Sequence, residues 1–336
     1  MRRFLWIIVF AFLPLSATAQ LRDALLTPGG HLYAIDIEGA EQHPDVVTES
    51  SHYLVLVEHD GEGSTREIVP ATLTRGDHSD PAIAYDAESG LLLVFWLRRF
   101  GLLYNEVLLV TRDSSGVWGE PTVVAGSWNY RKNLRVAVTR KVIDEETGTS
   151  FAGITAHAAW WELNSSTGQH SARYSMLSIE NGAIIDMSEL DLGSFLEAPP
   201  DSAAEGIPDD VLNQPLLQTS PLRDSVLVIF GDYATRSLHE LRVQPTRPRA
   251  DVRIRIPVGR RERDLAAPRL NAATGSRIDA VYEDGGDLAI YVRAAEQLDY
   301  VVLENGAWSD ARRIVLDSDV TSDVALAAIR RLISGH

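Results

Sequence analysis

The chain contains no cysteine among its 336 residues. This absence excludes disulfide bonds, thiolate metal ligands, a cysteine nucleophile and an acylated lipoprotein cysteine. A chain without disulfides must be held together by packing alone. Its hydrophobic content of 45% is sufficient for a large buried core.

Positive charge is also scarce. The 31 Lys and Arg residues stand against 47 Asp and Glu residues, which gives a formal net charge of -16. Such a surface repels phosphate backbones, so we expect no nucleic-acid partner. The chain has no spaced Asp-x-Asp-x-Asp-Gly loop and no other spacing typical of metal ligands. We therefore predict neither a metal nor another cofactor.

The N-terminus has the pattern of a secretory signal peptide. Arg2 and Arg3 precede an apolar stretch over residues 4–15, and Ala17 and Ala19 form a small-x-small cleavage pattern before Gln20. The apolar stretch is too short to span a membrane, and no other candidate span follows it. The pattern predicts a signal peptide over residues 1–19, no membrane span after its cleavage, and export to the periplasm or the extracellular space.

Short apolar runs separated by Gly, Asp and Ser turns dominate the remaining sequence. Residues 80–124 form the clearest unit, with apolar runs at 81–85, 91–96, 106–110 and 122–124. Four such runs predict one antiparallel sheet, and several sheets in one chain are typical of a β-propeller. The units begin near Pro44, Pro81, Leu134, Pro215 and Pro268. The sequence thus predicts an all-β fold, a single β-propeller of about five four-stranded blades over residues 20–318. Six blades are the alternative if the long third unit contains another.

The two ends of this region carry predictions of their own. Residues 31–37 alternate like a half-buried strand and precede the first full unit, which favours a strand that completes the last blade and closes the ring. Residues 319–336 predict a short C-terminal helix packed on the propeller, with Thr321 or Ser322 as its cap.

A Gly-x-Trp turn occurs twice. Gly116-Val117-Trp118 and Gly306-Ala307-Trp308 both precede an apolar run. The recurrence favours an internal repeat, and the alternative is two unrelated hairpins in one large all-β protein.

The first of these turns resembles a known motif. Residues 113–118 are similar to the Asp-box turn of sialidase-like propellers, with Thr111 in place of the Ser of the family and Gly116 displaced by one position. In that family the box is a structural hairpin on the rim, so the resemblance implies a fold rather than an activity. The arginine cluster and Tyr/Glu pair of the family have no matching positions here.

A second resemblance concerns Asp80-Pro81. It looks similar to the Asp-Pro that leads into an innermost strand in the five-bladed furanosidases, where the Asp is the catalytic base. Glycoside hydrolysis needs a pair of carboxyl groups. Asp80 is one candidate, but no Glu in a matching motif presents itself as the acid. Asp-Pro is also an ordinary turn before a strand.

The segments that lead into the innermost strands of a propeller usually gather at one mouth of its central channel, where we expect a ligand site. In this chain those segments are polar and suit hydroxyl-rich ligands such as sugars. Trp128 and Tyr130 are candidates for an aromatic platform. The predicted ligand-binding residues are His43, Asp77, His78, Trp128, Tyr130, Arg131, Asn133, Asp210, Gln214, Arg261, Arg263 and Asp264.

One region departs from the repeat. Residues 174–222 contain nine carboxylates and no Lys, Arg or His, whereas residues 223–263 contain ten arginines against five acids. A solvated loop, a clamp of the acidic loop on the basic blade, and a calcium site are the three interpretations.

These observations favour an exported, non-catalytic propeller that binds a glycan or a cell-envelope protein through the channel mouth. The alternative is a glycoside hydrolase, sialidase-like or furanosidase-like, that uses Asp80 and a second carboxylate. A third hypothesis, a periplasmic assembly partner, predicts an exposed apolar patch on the rim.

Overall fold

The protein is represented by a computed structural model, which describes residues 23–27, 30–42, 45–59, 63–101, 104–140, 153–192, 213–219, 226–232, 237–243, 277–282, 288–294, 297–304, 307–310 and 312–315. This part of the chain contains twenty strands and two short 3-10 helices. Within these ranges no helix has the length and hydropathy needed to cross a bilayer. The signal peptide at 1–19 and the helix at 319–336 lie outside them and stay predictions.

The strands form five antiparallel sheets, each from consecutive segments. The first sheet contains β1 (Asp23–Leu26), β2 (Leu32–Gly39), β3 (His52–His59) and β4 (Ser64–Ile68). The second contains β5 (Asp77–Asp86), β6 (Leu91–Phe100), β7 (Tyr104–Arg112) and β8 (Thr122–Ser127). The third contains β9 (Tyr130–Arg140), β10 (Gly153–Leu163), β11 (His170–Glu180) and β12 (Ala183–Asp191).

The fourth and fifth sheets follow in the chain. The fourth contains β13 (Leu216–Thr219), β14 (Val226–Asp232) and β15 (Ser237–Val243). The fifth contains β16 (Arg277–Tyr282), β17 (Leu288–Ala294), β18 (Gln297–Glu304), β19 (Ala307–Trp308) and β20 (Arg312–Val315). In the fifth sheet, β18 pairs with both β19 and β20.

The first strand of each sheet lies beside the first strand of the next. β1 contacts β5, β5 contacts β9, β9 contacts β13, and β13 contacts β16. Antiparallel sheets that succeed one another around their innermost strands define a β-propeller. The prediction of an all-β propeller fold built from antiparallel sheets is confirmed.

Strand β6 shows why the sheets stack. Its residues 91–97 are apolar without interruption and are all buried. Leu93 and Phe95 on one face pack in a cluster with Trp160 of the third sheet. Val94 and Trp96 on the other face pack in a cluster with residues of the first sheet. A strand that is apolar on both faces needs a packed layer on each side, and the neighbouring sheets provide the two layers.

The third sheet repeats this arrangement. Trp160 on β10 faces the second sheet, whereas its neighbour Ala159 lies in a cluster with Tyr174 and with Val228 and Phe230 of the fourth sheet. Because successive side chains of a strand point to opposite faces of its sheet, a single strand contributes to the interfaces with both neighbouring sheets. The first four sheets stack face to face in chain order.

The structure corrects the beginning of the repeat. The innermost strand of the first sheet is β1, not the segment after Pro44, and residues 45–47 form no strand. β2 does not complete the last blade, because it pairs with both β1 and β3. Between the end of β1 and the start of β2, the backbone N–H of Thr27 donates to the carbonyl of His31 (2.8 Å). β1 has only four residues, too few for a clear alternation in the sequence.

In both Gly-x-Trp turns the Trp pairs with a residue at the end of the preceding strand. Trp118 forms a bridge with Arg112 at the end of β7, and the N–H of the next residue donates to the carbonyl before Arg112 (2.8 Å). Trp308 pairs with Leu303 near the end of β18, and the N–H of the next residue donates to the carbonyl before Leu303 (2.8 Å). The second and fifth units therefore share this pairing of the Trp, although four residues separate the paired positions in the fifth unit and five in the second.

Asp113 stabilises the first of these turns. Its Oδ1 accepts the hydroxyl of Ser115 (2.7 Å) and the backbone N–H groups of Ser115 and Val117 (both 2.9 Å). These hydrogen bonds, led by that from the Ser115 hydroxyl, lower the pKa of the Asp113 carboxyl. The indole N–H of Trp118 donates to Glu67 of the first sheet (2.7 Å). Asp113 thus has a structural role, as the Asp-box resemblance implies.

The stacking of the second sheet on the third can be tested with Phe95→Ala. The Phe95 side chain is fully buried, so we expect the free energy of unfolding to fall by about 3–5 kcal/mol. Chemical denaturation measures the change. Val117→Ala is the matched control, because Val117 is exposed on a turn and should shift the free energy of unfolding by less than about 0.5 kcal/mol. Equal effects of the two variants would contradict the described stacking.

Candidate functional site

Three innermost strands meet at the ends where they begin. The backbone N–H of Asn133, in β9, donates to the carboxylate of Asp80, in β5 (3.4 Å). The side-chain amide of Asn133 donates to the carbonyl of Asn213, which precedes β13 (2.7 Å). Three successive sheets therefore converge at the end where their inner strands begin, and we call Asp80, Asn133 and Asn213 the convergence cluster.

Asp80 and Asn133 share an unusual backbone. Their φ angles are +45° and +58°, in the left-handed region of backbone conformation, which residues other than Gly rarely adopt. The β5–β6 pairing shifts between Ser79 and Ala82, and the β9–β10 pairing shifts around Asn133. Bulges of this kind change the direction of a side chain and are frequent near active sites. A left-handed residue beside a shift in strand pairing thus occurs near the start of two successive inner strands.

His78 lies beside this cluster in the sequence but is part of the core. Its Nδ1 accepts the indole N–H of Trp96 (3.0 Å), and its Nε2 lies 3.3 Å from the carbonyl of Thr74. An indole N–H can only donate, so the proton of the neutral ring is on Nε2. Burial lowers the pKa of His78 to about 4. The fold uses both ring nitrogens, which corrects the prediction that His78 contacts a ligand.

Asp77 remains at the surface, with its carboxylate engaged. Oδ1 accepts the hydroxyl of Ser51 (2.7 Å), and Oδ2 accepts a guanidinium N–H of Arg99 (3.3 Å). The hydrogen bond from Ser51 and the charge of Arg99 lower the pKa of Asp77. An acid of lowered pKa is a poor proton donor near neutral pH.

Trp128 lies on the connection between β8 and β9, and Tyr130 is the first residue of β9. Trp128 is 66% exposed and Tyr130 is 41% exposed. The Trp128 ring meets Tyr104 nearly edge-on (5.2 Å between centroids), and the Tyr130 ring meets Trp161 in the same way (6.1 Å). Two large aromatic side chains therefore face solvent on one short segment.

Arg131 follows Tyr130 but points into the fold. Its Nε donates to Glu162 (2.8 Å), and a terminal nitrogen donates to the carbonyl of Asn105 (3.0 Å). Burial opposes ionisation of Glu162, but the charge and hydrogen bond of Arg131 outweigh it and lower the pKa of Glu162. The buried ion pair leaves no exposed guanidinium, which corrects the prediction that Arg131 contacts a ligand.

The remaining predicted site residues are placed as follows. Gln214 is half-buried immediately after Asn213. His43, Asp210, Arg261, Arg263 and Asp264 lie in segments that the structure does not describe and stay predictions. Across the described ranges, no group of three or more His, Asp or Glu side chains is arranged to hold a metal ion.

A buried polar row in the third sheet has no counterpart in the sequence analysis. The Nε2 of His157 lies 2.7 Å from the hydroxyl of Thr139, and its Nδ1 lies 2.6 Å from the hydroxyl of Tyr174. Burial lowers the pKa of His157 to about 3 and raises that of Tyr174. The three side chains come from three adjacent strands, so no local spacing could have revealed them.

Comparisons with known proteins give distant structural likenesses only. No protein-family model matches the chain, and no curated protein matches it. Hydrazine synthase of Kuenenia stuttgartiensis is 12% identical, with a TM-score of 0.44 over 91% of this chain and 70% of its own. The α-L-arabinanase of Penicillium chrysogenum, complexed with arabinobiose, is 12% identical, with a TM-score of 0.44 over 87% and 81%. The α-L-arabinofuranosidase of Fusarium graminearum is 10% identical, with a TM-score of 0.45 over 87% and 80%.

These names bear on two of the expectations. The expectation of a non-catalytic binding or scaffold module is wrong by this comparison, because the named proteins are enzymes. The resemblance to propellers holds for the fold and not for the sialidase-like group in particular. With TM-scores below 0.5, the likenesses assign no activity to this chain.

The two buried imidazoles predict acid sensitivity. An imidazole has a pKa of about 6.5 in an unfolded chain, against about 4 for His78 and about 3 for His157 in the folded protein. Between pH 6.5 and 4 the unfolded chain binds more protons, so the free energy of unfolding falls as the pH falls. We expect a loss on the order of 1–2 kcal/mol per imidazole at pH 5.

Denaturation midpoints between pH 7.5 and 5 would measure this loss. NMR titration of the imidazole carbons would identify the two rings, since both should remain neutral at pH 5.5. Protonation of either ring near pH 6.5 in the folded protein would contradict the described burial.

Proposed function

We propose that the protein is a glycoside hydrolase of propeller architecture in which Asp80 is a catalytic carboxylate. One observation carries the proposal. The left-handed backbone at Asp80 directs an acid toward the next inner strand, at the point where three sheets converge. Strained, non-Gly positions of this kind persist where the surrounding structure fixes them, and they concentrate at functional sites.

The surroundings of Asp80 suit this role. Its side chain is half-buried, and the adjoining Pro81 is buried. The contacts from Asn133 come from a backbone held in the same left-handed conformation. An acid fixed by its own backbone and by a neighbouring strand loses little freedom when a substrate binds, which is the requirement for a positioned catalytic group.

A second carboxyl group is needed to complete the pair. Asp77 is unsuitable as the acid, because Ser51 and Arg99 hold it ionised. Glu162 is also unsuitable, because it is buried against Arg131. We propose that Asp210 or Asp264, which precede the fourth and fifth units in the sequence, provides this group.

Asp80→Asn is the test of the catalytic carboxylate. Asn tolerates the left-handed backbone and keeps an oxygen that accepts the N–H of Asn133, so the substitution removes the charge and little else. We expect the hydrolysis rate to fall by about 100-fold to 10,000-fold. The measurement is kcat/KM on a panel of aryl glycosides and plant polysaccharides.

Asp186→Asn is the matched control, because Asp186 is exposed on the outer strand β12. It should leave the rate unchanged. Hydrolysis at the wild-type rate by Asp80→Asn, or a wild type inactive toward the whole panel, would overturn the proposal.

We also propose that five blades close into one ring and that the protein acts outside the cytoplasm after removal of residues 1–19. The five sheets and the contacts between successive inner strands support the first point. The charged, apolar and small-residue segments at the N-terminus support the second. N-terminal sequencing of the exported protein should begin at Gln20, and a mature chain that begins at Met1 would contradict cleavage.

A further inference from the structure

The connection that carries Trp128 is fixed from both sides. The backbone N–H of Asn129 donates to the hydroxyl of Ser127 (3.1 Å), and its carbonyl accepts the side-chain amide of Asn105 (2.9 Å). The hydroxyl of Ser165, from the β10–β11 hairpin, donates to the carbonyl of Trp128 (3.3 Å). Two neighbouring sheets therefore hold a turn of only two residues.

The buried ion pair lies directly beneath this turn. Glu162 accepts the side-chain amide of Asn129 (2.7 Å) through one oxygen and Arg131 Nε (2.8 Å) through the other. Arg131 in turn donates to the carbonyl of Asn105, whose side chain holds Asn129. A charged network with its partners satisfied makes the surrounding backbone rigid. The two buried charges therefore fix the conformation of a turn at the surface.

This rigid turn presents apolar surface to solvent. Trp128, at 66% exposure, is the most exposed aromatic side chain among the described residues, and Tyr130 follows two positions later. Tyr130 and Asn133 lie on the same strand, three residues apart, which is about 10 Å at the rise of a β-strand. The aromatic pair and the convergence cluster therefore lie at the same end of β9.

We propose that Trp128 and Tyr130 form a preorganised sugar-stacking subsite, so that the substrate is an oligosaccharide or polysaccharide chain rather than a small glycoside. This inference rests on the proposed function, because it extends the same site outward along β9. A chain with one residue at Asp80 would place residues two or three sugars away against the aromatic pair.

The chemistry of the turn favours a sugar over other occupants. A sugar ring has an apolar C–H face that packs on an aromatic side chain, while its hydroxyl groups hydrogen-bond at the edges. Lys132 contributes a cation whose Nζ lies 4.6 Å from the centroid of the Trp161 ring. A rigid platform binds with little loss of side-chain freedom, which suits a ligand whose apolar faces are small.

The test separates binding from catalysis. Native affinity electrophoresis with soluble arabinan, arabinoxylan and xyloglucan measures binding of wild type, Trp128→Ala, Trp128→Phe and the double variant Trp128→Ala/Tyr130→Ala. We expect at least one polysaccharide to retard the wild type. Trp128→Ala should weaken that binding by about tenfold, the double variant should lose it, and Trp128→Phe should keep most of it.

Val117→Ala is the matched control, since Val117 is exposed on another turn, and its binding should equal that of the wild type. In hydrolysis assays, Trp128→Ala should raise KM for the polysaccharide. If the wild type binds a polysaccharide but hydrolyses no substrate, and the aromatic substitutions abolish that binding, the subsite is supported and the proposed hydrolase activity is overturned. Full binding by the double variant, or no retardation of the wild type, would overturn the subsite.

Discussion

Burial of single strands on both faces is the constraint on which this structure depends. An uninterrupted apolar run such as residues 91–97 cannot remain at the surface of a sheet that has one solvated side. It needs a neighbouring sheet on each side, and the same requirement passes from the second sheet to the third and from the third to the fourth. The convergence of the inner strands, and with it the candidate site, follows from this stacking.

Polar contacts between sheets then select one alignment of the stack. Arg140, near the end of β9, forms a two-pronged pair with the buried carboxylate of Asp86 in β5 (2.6 and 3.0 Å). Burial opposes ionisation of Asp86, but hydrogen bonds from Arg140 and Ser89 outweigh it and lower its pKa. Apolar packing alone tolerates sliding of one sheet over another, whereas a directional ion pair does not. Asp80 and Asn133 meet at the opposite end of the same two strands.

Local patterns predicted most of the sheets, because apolar alternation and Gly/Asp turns are properties of neighbouring residues. The Gly-x-Trp repeat was recognisable for the same reason. The roles of His78 and Arg131 were not, since their partners Trp96 and Glu162 lie 18 and 31 residues away. A polar residue that leads into a strand has the same local sequence whether it faces solvent or a buried partner. The exposed position of Trp128 was predictable from its place between two strands.

The order of the strands has a consequence for how the molecule is assembled. Apart from the β18–β20 pairing, every described pairing joins strands that are adjacent in the sequence, so most pairings close over short loops and lose little chain entropy on formation. Within one sheet nearly every strand pairs with a strand adjacent in the sequence, and each completed sheet offers an apolar face on which the next sheet can pack. Growth by addition of units therefore leaves existing sheets intact, and an ancestor with fewer units could gain one by duplication of a single segment.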